Sequence, residues 1–98
     1  MTKTAQEILE ELVARNTKSS NAKANKDCLD WIHKFLSERG VPSKIIEYGD
    51  GENKRAFLFA SVGDDPKIML AGHIDTVPAN KEGWTASPWK LTEKGGKL

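Results

Sequence analysis

The sequence predicts an α/β fold: the N-terminal part of a mixed sheet with covering helices, in the order helix, helix, strand, strand, strand, and incomplete as a domain. Three observations predict it. Up to Gly40, two segments repeat apolar residues at three-and-four spacing. Beyond it, three short apolar runs are divided by turn residues. The last two of those runs are apolar on both faces, as in strands covered on each side.

The first helix is expected over about Thr4 to Arg15. Thr4 and Glu7 are spaced as a capping box, and Ile8, Leu9, Leu12 and Val13 fall on one face. Asn16 to Asn25 is polar and reads as a loop whose end caps the next helix. The second helix runs from about Lys26 to Arg39, with Cys28, Leu29, Ile32, Phe35 and Leu36 on its apolar face and Gly40 as a left-handed terminator. After Val41 and Pro42, strands are expected at Lys44 to Tyr48, Ala56 to Val62 and Ile68 to Ala71. Residues 49–53 can supply the positive backbone angles of a hairpin between the first two, and Gly63 to Pro66 separates the second from the third.

Two helices cover only part of a doubly buried sheet, so these residues call for covering elements that they do not supply. The segment Trp84 to Leu98 holds Ser87, Pro88, Trp89 and a Gly95–Gly96 pair, then stops without a closing helix or strand. The expectation is a part of a larger domain. A chain of 98 residues is in any case too short for two domains.

Composition narrows the function classes. Hydrophobic residues are 38% and charged residues 30%, and no apolar run approaches the roughly 20 residues that a membrane-spanning helix needs. With 15 Lys and Arg against 14 Asp and Glu, interspersed, no basic stripe exists to hold nucleic acid. Met1 to Leu12 carries acidic residues at helical spacing where a secretory leader would be basic and then apolar. The single Cys28 has no internal disulfide partner, which suits a reducing cytosol and predicts a cytoplasmic protein.

Chemistry concentrates directly after the third apolar run, at Gly72, His73, Ile74, Asp75, Thr76, Val77 and Pro78. Polar groups just past the carboxyl end of a buried strand emerge where α/β sheets form their ligand crevice. In extended backbone His73 and Asp75 point to the same side. A carboxylate beside an imidazole fixes its tautomer and raises its basicity, the arrangement common around catalytic zinc. His73 is then the candidate metal ligand and Asp75 its orienter. A bare His-x-Asp also serves as a solvated turn or a structural hydrogen bond, and one histidine is not a metal site.

The longer string Leu70 to Pro78, LAGHIDTVP, resembles the first metal-binding signature of the zinc aminoacylase and carboxypeptidase family, which includes acetylornithine deacetylase, succinyl-diaminopimelate desuccinylase and glutamate carboxypeptidase. Gly83, Trp84, Ser87, Pro88 and Trp89 are similar to the context that follows it there, with Trp89 where a Phe is usual. The resemblance implies that residues 1–98 are the N-terminal portion of a zinc-dependent hydrolase catalytic domain. It further implies that His73 binds zinc and that Asp75 orients it without binding metal. It also implies two neighbouring ions whose bridging aspartate, general-base glutamate and other ligands would lie beyond Leu98. After Asp75 only Glu82 and Glu93 remain as acids, and neither stands in a matching motif.

Plainer roles suit the rest. His33 reads as a boundary residue of the second helix, Cys28 as a small hydrophobe, Trp84 and Trp89 as loop packing, Lys18, Lys23 and Lys26 as loop solvation, and Asp64 and Asp65 as turn chemistry before Pro66. Two functions follow. The first is part of an amidohydrolase acting on an N-acyl amino acid or a small dipeptide through metal-activated water, inactive as 98 residues alone, with cobalt or manganese not separable from zinc by one imidazole. The second is a non-catalytic assembly module that covers its sheet by pairing with another copy, a homodimer.

Overall fold

A computed structural model describes residues 3–80 and 82–98. Met1 and Thr2, the start of the segment read as lacking a leader, lie outside the described residues. Helix α1 (Ala5–Val13) begins as the capping box requires: the Glu7 amide donates to Thr4 Oγ1 at 3.2 Å, and the Thr4 amide donates to Glu7 Oε1 at 3.3 Å. It ends two residues before Arg15, whose guanidinium lies 5.2 Å from the centre of the Trp31 ring.

Helix α2 (Ala22–Ser37) starts four residues earlier than the apolar spacing indicates. The polar residues read as loop are its opening turn. Asn21 Oδ1 accepts from the Ala24 amide at 3.0 Å, and Lys23–Asp27 and Lys26–Asp30 are helical ion pairs at 2.8 Å. At the other end Gly40 takes φ 73°, so that the Gly40 amide reaches the Ser37 carbonyl at 3.1 Å and the Val41 amide reaches Leu36 at 2.9 Å. That double closure is the glycine-dependent stop expected at this position.

Strands β1 (Ser43–Tyr48) and β2 (Arg55–Ala60) pair antiparallel, with Ile45 opposite Leu58. A short 3-10 turn, Gly51–Asn53, joins them. Gly49 is required in this hairpin, because its φ is 83° and a Cβ there would strike the Asn53 carbonyl oxygen. Helix α2 packs on one face of the pair. His33 Nδ1 lies 2.6 Å from Ser43 Oγ, which makes His33 a half-buried tie between helix and sheet.

The core is centred on α2. Cys28 at 1% exposure and Leu29 at 6% are the buried apolar residues among those described. Burial also pushes the Cys28 thiol up, against a smaller opposing pull from Arg15. A raised thiol means that stability is complete below the unfolded cysteine's value near pH 8.5 and declines as the pH climbs through the folded one. Alkylation of Cys28 by iodoacetamide at pH 8 should accordingly run at least about tenfold slower in the native chain than in urea. Equal rates would show that the thiol is accessible.

The third expected strand is corrected: Ile68 to Ala71 is neither helix nor strand, with Ile68 at 81%, Met69 at 80% and Leu70 at 92% exposure. A run that is apolar on both faces needs a pairing partner and a cover on each side, and the described residues provide no such cover. For the same reason Ile46, Tyr48, Phe57 and Phe59, on the sheet face away from α2, stay 41 to 56% exposed. Trp84 is also exposed, where loop packing was expected, while Trp89 is half-buried. Gly95 and Gly96 both take positive φ and close a tight reversal between Lys94 and Lys97. The accessible surface of 8099 Å² compares with about 5,500 Å² for a self-contained fold of this mass.

Candidate metal centre

The segment 72–78 lacks regular structure apart from one pairing that the sequence did not reveal: Lys18 and Thr76 form an isolated parallel bridge. Its bonds run in both directions. The Thr76 amide donates to the Thr17 carbonyl and the Ser19 amide to the Thr76 carbonyl, both at 2.9 Å. Thr17, only 3% exposed, adds its hydroxyl, which donates to the Ile74 carbonyl at 2.6 Å. Asn25 anchors the arrangement to α2, its amide donating to the carbonyls of Thr17, Lys18 and Asn21 at 3.3, 3.0 and 2.9 Å.

On this support His73 and Asp75 meet on one side of the chain. His73 Nδ1 lies 2.8 Å from the Asp75 carbonyl oxygen and 3.0 Å from Asp75 Oδ1. Both partners are acceptors, so Nδ1 carries the hydrogen and, in the neutral ring, Nε2 keeps its lone pair. The His73 side chain is 83% exposed, which leaves the ring open to solvent. The second oxygen of Asp75, Oδ2, accepts from the Ser19 hydroxyl at 2.9 Å. These bonds hold the Asp75 carboxyl below the usual carboxylate range; Ser19 contributes most, partial desolvation opposes it, and His73 adds a smaller stabilisation of the ionised form.

His73, Asp75, Gly72 and Ser19 line one side of a cleft of about 750 Å³ whose other walls include Leu29 of α2 and Leu58 of β2. The size is that of a small-molecule site. The donor set supplies one imidazole with its lone pair free and a carboxylate that orients it, which fits one corner of a zinc site. Among the described residues no cluster of three or more His, Cys, Asp or Glu side chains gathers to complete it. His33 stays with Ser43 and does not join His73.

Sequence reasoning placed His73 and Asp75 side by side but missed Thr17, Ser19 and Asn25. Its only available hint was the period-two pair of hydroxyl residues Thr17 and Ser19 in a stretch otherwise read as a polar loop.

Sequence comparison bears on this site. The chain is 34% identical over 76 residues to an acetylornithine deacetylase of Pasteurella multocida, an alignment covering 76% of the chain and 20% of that protein. It is 31% identical over 94 residues to a probable succinyl-diaminopimelate desuccinylase of Staphylococcus aureus, covering 94% of the chain and 22% of that protein. A succinyl-diaminopimelate desuccinylase of Rickettsia felis is 36% identical over 74 residues, covering 71% and 19% respectively. The chain thus spans about a fifth of the length of these curated relatives. No family model and no solved structure matches it. No helix among the described residues is long and apolar enough to cross a membrane.

Proposed function

By sequence the chain belongs with the acetylornithine deacetylases and succinyl-diaminopimelate desuccinylases, and from that premise we propose that residues 1–98 are the N-terminal portion of the catalytic domain of a cytoplasmic, zinc-dependent amidohydrolase. The substrate is an N-acyl amino acid or a small peptide-like amide. The observation that carries the proposal is the His73–Asp75 contact, which engages Nδ1 and, in the neutral ring, leaves the Nε2 lone pair free on an exposed side chain that lines a cleft of substrate size.

His73 is the residue that would hold a metal ion, and Asp75 would keep its ring in the ligating tautomer. A zinc ion, or cobalt or manganese in its place, supplies Lewis acidity toward the amide carbonyl and lowers the pKa of a bound water to about 7. The chain's own contribution is orientation: Ser19 and the main-chain bonds of Thr17 and Ser19 with Thr76 fix the carboxylate, and the carboxylate fixes the imidazole. One histidine does not complete a coordination sphere, so the 98 residues alone hydrolyse nothing. The surplus of accessible surface and the uncovered sheet face support a place within a larger folding unit.

The test is hydrolysis of N-acetylornithine and N-succinyl-diaminopimelate by the full-length gene product. Activity should vanish on treatment with a chelator and return with zinc, cobalt or manganese, while the isolated 98 residues stay inactive. Activity indifferent to chelation would sink the metal reading. The exposed face of Ile46, Tyr48, Phe57 and Phe59 favours a second reading, a module that pairs with another copy of itself. Stable dimers of the chain that take up no metal would support that one instead.

A further inference from the structure

We propose that Ser19 is the positioning residue of the His73–Asp75 pair: its hydroxyl fixes the carboxylate that fixes the imidazole, so the ring is set before a metal arrives. Metal loading rests on the function proposed above, whereas the setting of the ring does not.

Asp75 stands on an irregular segment with its side chain 50% exposed, where a carboxylate is ordinarily free to turn. The imidazole does not by itself stop that rotation. Nδ1 already has an acceptor in the Asp75 carbonyl at 2.8 Å, so the ring makes only a shared bond to Oδ1 at 3.0 Å. The opposite oxygen is what Ser19 holds. The serine hydroxyl has one hydrogen and two acceptors in range, Asp75 Oδ2 at 2.9 Å and the Thr76 carbonyl at 3.3 Å, and the nearer, charged one is favoured. With one oxygen engaged by Ser19 and the other by His73, the carboxylate plane is defined.

Ser19 can do this only because it is itself placed. Its amide donates to Thr76, Thr76 donates back to Thr17, and the Asn25 side chain binds the carbonyls of Thr17 and Lys18 from within α2. Position passes from the helix through Asn25 to residues 17–19, then to Asp75 and finally to His73. Ser19 is bonded to the carboxylate and the carboxylate to the ring, so its effect reaches the imidazole through Asp75.

The experiment is ¹⁵N NMR of the ring nitrogens of His73 in the intact, metal-free chain, at a pH where the ring is neutral, together with cobalt titration of the full-length gene product. The parent chain is expected to show the Nδ1–H tautomer, with Nε2 unprotonated. Ser19→Ala should shift the ring toward the Nε2–H form and weaken cobalt binding by about tenfold. Ser19→Thr, which keeps the hydroxyl, should restore both readouts. Thr17→Val removes the neighbouring hydroxyl–carbonyl bond and should leave the tautomer as in the parent. An unchanged tautomer in Ser19→Ala, or an equal shift in Thr17→Val, overturns the proposal. So does a Ser19→Ala chain that loses its helical circular dichroism, since the serine would then serve the fold and not the pair. If the full-length gene product binds no cobalt yet the tautomer of the chain answers to Ser19, the metal function fails and the positioning role stands.

Discussion

On the proposed function, His73→Ala in the full-length gene product is expected to lower kcat/KM for N-acyl amino acid hydrolysis by at least about a thousandfold. A bound metal contributes several kcal/mol of transition-state stabilisation, and about 4 kcal/mol corresponds to three decades in rate. The alanine removes the free Nε2 outright, and no other histidine of the described residues stands in for it, because His33 is engaged at Ser43 and no metal-binding cluster is assembled among those residues. The loss should appear in metal content as well as in rate, read by atomic absorption of the purified variant. A variant that retains its full complement of metal, or more than about a tenth of parental activity, would remove His73 from the ligand set.

Leu29→Ala should cost the isolated chain most of its cooperative structure. Truncating a buried leucine removes about 2 to 4 kcal/mol, and small domains seldom hold more than about 5 in total. Leu29 and Cys28 are the buried apolar side chains of the described residues, and Leu29 shares a cleft wall with Ile32, Ala56 and Leu58. No other apolar side chain among the described residues is buried to take over if that pair fails. Thermal melting followed at 222 nm should move down by about 10 °C or more, or lose its sigmoidal form. A shift under about 3 °C would place the core elsewhere.

The sequence was legible where a local physical rule decides the outcome. The Thr4–Glu7 capping box, the Gly40 terminator, the apolar face of α2 and the turn around Gly49 are settled by interactions within a few residues, and each stands as the spacing indicates. The side-by-side placement of His73 and Asp75 is of the same short range, a contact between residues two apart. Where rules of longer range decide, the reading diverged. Ile68 to Ala71 has the composition of a buried strand, yet a strand is a property of its neighbours, and the described residues offer none to cover it. Helix α2 opened earlier than expected because Asn21 and Asn25 satisfy carbonyl and amide groups at its entry, a role invisible to apolar spacing. Ser19 escaped notice for a related reason: nothing in a polar loop announces a partner 56 residues away.

That long separation shapes the order of events during synthesis. Closing a loop of this span costs about 3.5 kcal/mol in chain entropy, before any bond across it forms. The α1 cap and the β1–β2 hairpin need only nearby residues and can appear while translation continues. The bridge between Lys18 and Thr76 must await the arrival of residue 76 from the ribosome. The centre around His73 therefore forms only after the α1 cap and the hairpin, once residue 76 has emerged, and until then the imidazole has nothing to steady it.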